Sequence, residues 1–214
     1  LHPTRPEDVS WAPAAFYFDL ASPLAYLAAE QVLQALPGPA EWQPVLAREL
    51  SGAETFDSHR CAEERDIART EIERRARELG LQELRWPEPF PFDSSLAMRV
   101  ATYARSIGRT VPFVQAAFRQ AFAGGHSLER PDFVLIAAAA CEMHPTAVLR
   151  GAELRSIAEQ LSACTAAATK IGVSDVPALA VGGRVFHGER ALREAAAHMR
   201  RESRDEASAQ AAPG

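Results

Sequence analysis

Strand-like patterning occurs at only two places in this chain, residues 14–46 and 173–186, with helical patterning between them. One sheet built from both must join sequence-distant ends and push the intervening helices out as a block. Ala14-Ala15-Phe16-Tyr17-Phe18-Asp19-Leu20 is short, aromatic-rich and apolar on both faces, the pattern of a central strand in a covered sheet. Ala21-Ser22-Pro23 then opens a helix. Serine is a good N-cap, and proline suits the first turn because its missing N–H would be unpaired there. Leu24, Leu27, Ala28, Gln31 and Val32 keep helical spacing until Leu36-Pro37-Gly38-Pro39 stops it. A second strand is predicted over Glu41–Leu46, confined to an edge or a bulge by Pro44. Near the other end, Val173–Pro177 leads into Ala178–Val181, Gly182-Gly183 turns the chain, and Arg184–Phe186 returns, a hairpin signal. A final helix is predicted from about Glu189 to Arg201.

In the middle, a charged helix over about 58–80 carries the stripe Ile72, Ala76 and Leu79, with Glu71–Arg75 and Glu73–Arg77 as i,i+4 pairs. Further helices are predicted at 94–107, 112–123, 131–142 and 151–171, with Gly108, Gly124-Gly125 and Pro131 as punctuation. The chain therefore reads β-α-β, then helices, then α-β-β-α. A β-α-β half and a β-β-α half make one sheet in the thioredoxin fold. The fold class expected is α/β: a thioredoxin-like domain over 13–50 and 151–201, interrupted by a large all-helical insertion over 51–150. Residues 1–12 and 202–214 read as flexible tails.

Composition excludes several classes. A chain of 214 residues, 47% hydrophobic, buries a core without disulfides or metal. A net charge of −5 argues against non-specific nucleic-acid binding. No apolar run approaches the ~20 residues of a membrane span; Phe133–Cys141, the richest stretch, reads as a buried helix. Leu1–Trp11 shows no secretory pattern, so a cytoplasmic location is expected. Cys61, Cys141 and Cys164 form no C-x-x-C, suit a reducing compartment, and are expected to be small core residues. His59, His126, His144, His187 and His198 lack metal-ligand spacing, and no metal is expected.

Two short segments carry chemistry. Ser22 sits at the end of a central strand and the start of a helix, where free N–H groups and the helix dipole favour an anion. Its hydroxyl is placed to hydrogen-bond a bound thiolate; read alone, Ser-Pro is a helix cap. Pro177, opening a strand after Val176, invites a cis bond; read alone, it is an ordinary strand start.

Taken together, Asp19-Leu20-Ala21-Ser22-Pro23-Leu24-Ala25-Tyr26-Leu27 and Gly172-Val173-Ser174-Asp175-Val176-Pro177 resemble the family of 2-hydroxychromene-2-carboxylate isomerases and kappa-class glutathione transferases, thioredoxin-fold relatives of the bacterial disulfide oxidoreductases. Trp86–Arg99 (WPEPFPFDSSLAMR) is similar to that family's W-P-x-x-F-P segment, and Glu73–Gly80 to the helix before it. The resemblance spans about residues 14–200. It implies a glutathione site, with Ser22 facing the sulfur as the catalytic group and Pro23 beside it. Val176 and a cis Pro177 would pair with the tripeptide backbone, and the helix start at Glu189 and Arg190 would hold the γ-glutamyl end. Asp93 is counted with them among the thiol-binding positions; it stands where the family carries Asn, and Arg190 where it carries Asp, with Glu189 adjacent. These departures leave another low-molecular-weight thiol open.

The activity implied is a thiol-dependent isomerase acting on an aromatic or unsaturated carboxylic acid by reversible thiol addition, with no metal. A kappa-like transferase, and a binding protein that kept the fold, are the alternatives. Ser22 and Ala25 replace both positions of a redox C-x-x-C, against a dithiol oxidoreductase. The partner expected is a small organic substrate, with no nucleic acid and no membrane, and the resemblance admits a homodimer.

Overall fold

Strand β1 (Ala14–Phe18) is the pivot of a four-stranded sheet. It pairs parallel with β2 (Ala40–Pro44) on one side and antiparallel with β3 (Ala178–Val181) on the other. Strand β4 (Arg184–His187) completes the sheet antiparallel to β3, giving the order β2-β1-β3-β4. The two ends of the chain thus meet at β1. The computed structural model describes residues 11–52 and 61–211.

Helix α1 (Pro23–Ala35) joins β1 to β2. Between β2 and β3 lie α2 (Ala62–Glu78), α3 (Ser95–Ser106), α4 (Thr110–Phe122), α5 (Pro131–Ala139), α6 (Pro145–Glu153) and α7 (Arg155–Lys170); α8 (Ala191–Ala211) follows β4. Successive side chains of a strand point to opposite faces, and β1 uses both. Phe16 and Phe18 are fully buried and meet Trp42, Phe118 and the α1/α8 core. Tyr17 points the other way, into a smaller core with Val45, Ala168 and Val176. Tyr26 of α1 stacks on Phe122 at 5.6 Å, and Phe90 reaches the same ring edge-on at 6.0 Å. This aromatic cluster fixes the helical block against α1, and each buried ring contributes roughly 1.5–3 kcal/mol of transfer free energy.

Several boundaries differ from the sequence reading. The predicted strand 14–20 ends at Phe18, and the predicted 41–46 is Ala40–Pro44 with Pro44 closing an edge strand. The charged helix begins at Ala62; the part of it expected at 58–60 lies outside the described residues. Of its stripe, Ile72 and Ala76 are buried but Leu79 is exposed. Glu71 and Arg75 pair at 2.9 Å as expected, whereas Arg77 reaches only the Glu73 carbonyl. The Glu73 carboxylate instead accepts from Trp86 Nε1 at 2.7 Å.

The single helix predicted over 151–171 is two, α6 and α7, broken at Leu154, whose φ/ψ of −62°/131° is extended. A domain boundary at 150/151 would cut α6, which packs on α3 so closely that a Cβ on Gly151 would clash with the Tyr103 ring. Trp11, placed with the N-terminal tail, packs on the core and against Gly38, where a Cβ would come within 2.6 Å of the indole. At the other end α8 continues to Ala211, past the stop at Arg201, so residues 202–211 are helix; residues 1–10 and 212–214 of the expected tails lie outside the described residues. Cys141 is buried and Cys164 partly so, but Cys61 is exposed at the start of α2, contrary to expectation.

Candidate functional site

The chain leaves β1 through a tight turn that delivers Ser22 to the head of α1. The Ser22 N–H donates to the Asp19 carbonyl at 3.0 Å, and Ser22 takes an extended conformation (φ −92°, ψ 113°) as N-cap with Pro23 at the first helical position. Its Oγ accepts from the Ala25 N–H at 3.2 Å. That bond uses one lone pair and leaves the hydroxyl proton to donate. Capping and donation to an anion are therefore compatible roles of the same side chain.

Asp19, which sequence reasoning passed over, holds this turn in shape. It is 3% exposed. One carboxylate oxygen accepts from the Ala21 N–H and the other from the Ala47 N–H, both at 2.9 Å. The Ser94 hydroxyl bonds it too, and the Arg48 charge favours its ionised form. Burial outweighs these and pushes its carboxyl above the ordinary carboxylate value. No local spacing announces such a residue, because its partners come from the segment after β2 and the start of α3.

Pro177 comes to the same end of the sheet. The β1–β3 ladder begins at Tyr17↔Ala178, so Pro177 stands one step further, opposite Phe18 and beside the strand end that leads to Ser22. The Val176–Pro177 peptide is cis, as are Glu88–Pro89 and Phe90–Pro91 in the Trp86–Arg99 segment. The Val176 N–H donates to the Asp175 carboxylate at 2.7 Å, and the Pro177 carbonyl accepts from the Gly188 N–H at 3.2 Å. Ser174 is held by His187, whose Nε2 lies 3.1 Å from its N–H.

A cleft of about 530 Å³ opens between α1, α2, the start of β3 and the head of α8. Leu24, Leu27 and Leu192 give it apolar walls, Pro177 contributes at one end, and Arg74, Arg75, Arg193 and Arg200 line it with cationic groups. Arg74 is tied to Glu71 and Glu78, and Arg75 to Glu71. Arg193 and Arg200 have no acidic partner among the described residues. Sequence reasoning read Arg74 and Arg75 only as part of the charged helix and did not single out Arg193 or Arg200; the four come from two helices remote in sequence.

The remaining candidates are spread around this centre. Glu189 and Arg190 lie in the short 3-10 turn Gly188–Arg190 before α8; the Glu189 side chain is outside the described set, and Arg190 faces Glu194 at 3.6 Å. Asp93 points to Arg48 at 2.7 Å and accepts from Ser95, whose hydrogen bond, more than Arg48, holds its carboxyl below the ordinary value. Ser22 and Pro23 follow the end of β1, and Val176 and Pro177 precede the start of β3 that pairs with that end. Asp93 and Arg190 are held by Arg48 and Glu194. Among the described residues no three His, Cys, Asp or Glu side chains cluster to hold a metal, and no helix is long and apolar enough to cross a membrane.

No curated protein matches the chain in sequence. Among solved structures, a 2-hydroxychromene-2-carboxylate isomerase superposes with TM-score 0.78 at 18% identity, over 91% of this chain and 98% of the other. A probable DsbA oxidoreductase from Streptomyces coelicolor gives 0.69 at 15% identity, covering 89% of each. The cytosolic disulfide reductase DsbM from Pseudomonas aeruginosa, solved with GSH, gives 0.59 at 12% identity, over 92% and 98%. At these identities the likeness is one of fold. The family model of the DSBA-like thioredoxin domain matches residues 15–200, and the chain belongs to that family.

Proposed function

We propose that this protein is a glutathione-dependent isomerase, or one using another low-molecular-weight thiol, acting on an aromatic or unsaturated carboxylic acid. The observation that carries this reading is the Ser22 hydroxyl at the head of α1, with a proton to donate, at the sheet end where Pro177 and the cleft also lie. When bound, the thiol supplies a nucleophile that adds to a conjugated carbon, frees the adjoining bond to rotate, and leaves again, so that no electrons are exchanged.

The chain's own groups do the rest. Ser22 and the positive end of the α1 dipole stabilise a thiolate and so raise its fraction at neutral pH. The apolar walls at Leu24, Leu27 and Leu192 suit an aromatic or unsaturated body. Arg193 and Arg200, which have no acidic partner among the described residues, suit its carboxylate. The residues fit a peptide-like thiol at the sulfur end, through Ser22; the Val176 amide beside Pro177 serves it once the Asp175 carboxylate gives way. Ser22 and Ala25 in place of a cysteine pair weigh against dithiol exchange. The likeness to an isomerase and to a reductase solved with GSH supports the same choice of ligand. The partner proposed is thus a small organic acid.

The test is interconversion of 2-hydroxychromene-2-carboxylate with its ring-opened isomer, followed with and without glutathione. Turnover that requires glutathione supports the reading. Glutathione consumed in proportion to product points to a transferase, and no turnover with bound glutathione points to another acid substrate.

A further inference from the structure

We propose that Asp175 is a specificity-determining residue of the thiol site: its carboxylate occupies the Val176 amide and competes with any extended ligand for it. The inference rests on the thiol-site reading above. Its ground is the accounting of main-chain groups around Pro177. Proline has no N–H to offer. The β3 ladder starts at Ala178, so the Val176 N–H and C=O are not spent on β1. The Ser174 N–H faces His187 Nε2, the Ser174 carbonyl accepts from Gly52, and the Pro177 carbonyl accepts from Gly188. A donor placed where a ligand strand would run beside Pro177 is the Val176 amide, and Asp175 Oδ1 holds it at 2.7 Å.

The competition is unequal. An extended ligand adds to a protein edge by offering its own carbonyl to such an amide. That carbonyl is neutral, whereas the Asp175 oxygen is charged, and charge-assisted hydrogen bonds are about twice as strong as neutral ones. The ligand must displace the carboxylate from the Val176 amide before it can pair there. Asp175 thus lowers affinity for peptide-like thiols in general. It selects for ligands held mainly by the sulfur and by the far end of the cleft.

Calorimetric titration of the full chain with glutathione tests this in wild type, Asp175→Asn and Asp175→Ala. Asparagine keeps a neutral oxygen for the Val176 amide, and alanine releases it. The expected order of affinity is wild type, then Asp175→Asn, then Asp175→Ala, the last about tenfold tighter than wild type, the worth of one hydrogen bond to a charged group. Binding by wild type with equal or weaker binding by Asp175→Ala overturns the competitor role and leaves the thiol reading standing. Should Asp175→Ala fail to fold, Asp175→Asn binding no tighter than wild type overturns it equally. Absence of binding in all folded forms overturns the glutathione reading itself, and the role of Asp175 with it.

Discussion

Asp19 Oδ2 accepts the Ala47 N–H at 2.9 Å, joining the turn that leads to Ser22 to the chain leaving β2, 28 residues away. The same carboxylate holds Ala21 on its other oxygen. In Asp19→Asn one of these oxygens becomes an NH₂ that faces a backbone donor. A buried donor is then left unsatisfied, at a cost of about 1–3 kcal/mol. Chemical denaturation of wild type and Asp19→Asn is expected to reveal a loss of that size; equal midpoints would contradict the clamp.

The pH dependence of that difference has a defined sign. Burial raises the Asp19 carboxyl in the folded state above its ordinary value of 3.8. A group with a raised folded pKa contributes most below the unfolded pKa, and that contribution is lost as pH rises through the folded one. The stability advantage of wild type over Asp19→Asn should therefore grow as pH falls from neutral towards 4, about the ordinary carboxyl value. Thermal melts of both proteins across that range check it, and a shrinking advantage on acidification would contradict it.

Ser22→Ala separates the capping role from the chemical one. Losing the cap costs about 1 kcal/mol of stability. Losing a preorganised donor to a reacting anion costs about 10²-fold or more in rate. A drop in thiol-dependent turnover of that order, with a small change in melting temperature, is expected. Matched turnover in both proteins would leave Ser22 as a cap alone.

The Asp93–Arg48 pair is more than half exposed on both sides, at 54% and 53%. Exposed pairs contribute ~0–1 kcal/mol. Asp93→Asn keeps an oxygen for the Ser95 N–H and should change stability by less than about 1 kcal/mol. Glutathione affinity should also stay close to wild type, because the Asp93 carboxylate is already engaged by Arg48 and Ser95. A large loss of affinity would move Asp93 into the binding machinery.

Much of the fold was legible because it rests on local patterns. The aromatic run at Phe16–Phe18, the Ser22-Pro23 cap and the Gly182-Gly183 turn each carry their geometry in adjacent residues. The break at Leu154 was not legible: neither Leu154 nor its neighbours Glu153 and Arg155 is a glycine or proline, and Leu154 takes an extended conformation between two helices. The end of α8 was misread because Glu202–Ala211 is small and polar as a tail would be, yet rich in helix formers. In the site, Ser22 and Pro177 stood out through local motifs. Asp19, Arg193 and the Asp175–Val176 contact depend on neighbours or exposures that only the folded chain supplies.

The central claim, that this site activates a thiol, is tested most directly by the ionisation of glutathione bound to the wild-type protein, read from the ultraviolet absorbance of its thiolate across a pH titration. Bound glutathione is expected to ionise at lower pH than free glutathione, with the shift lost in Ser22→Ala. Glutathione that binds yet titrates as it does free in solution would contradict the claim.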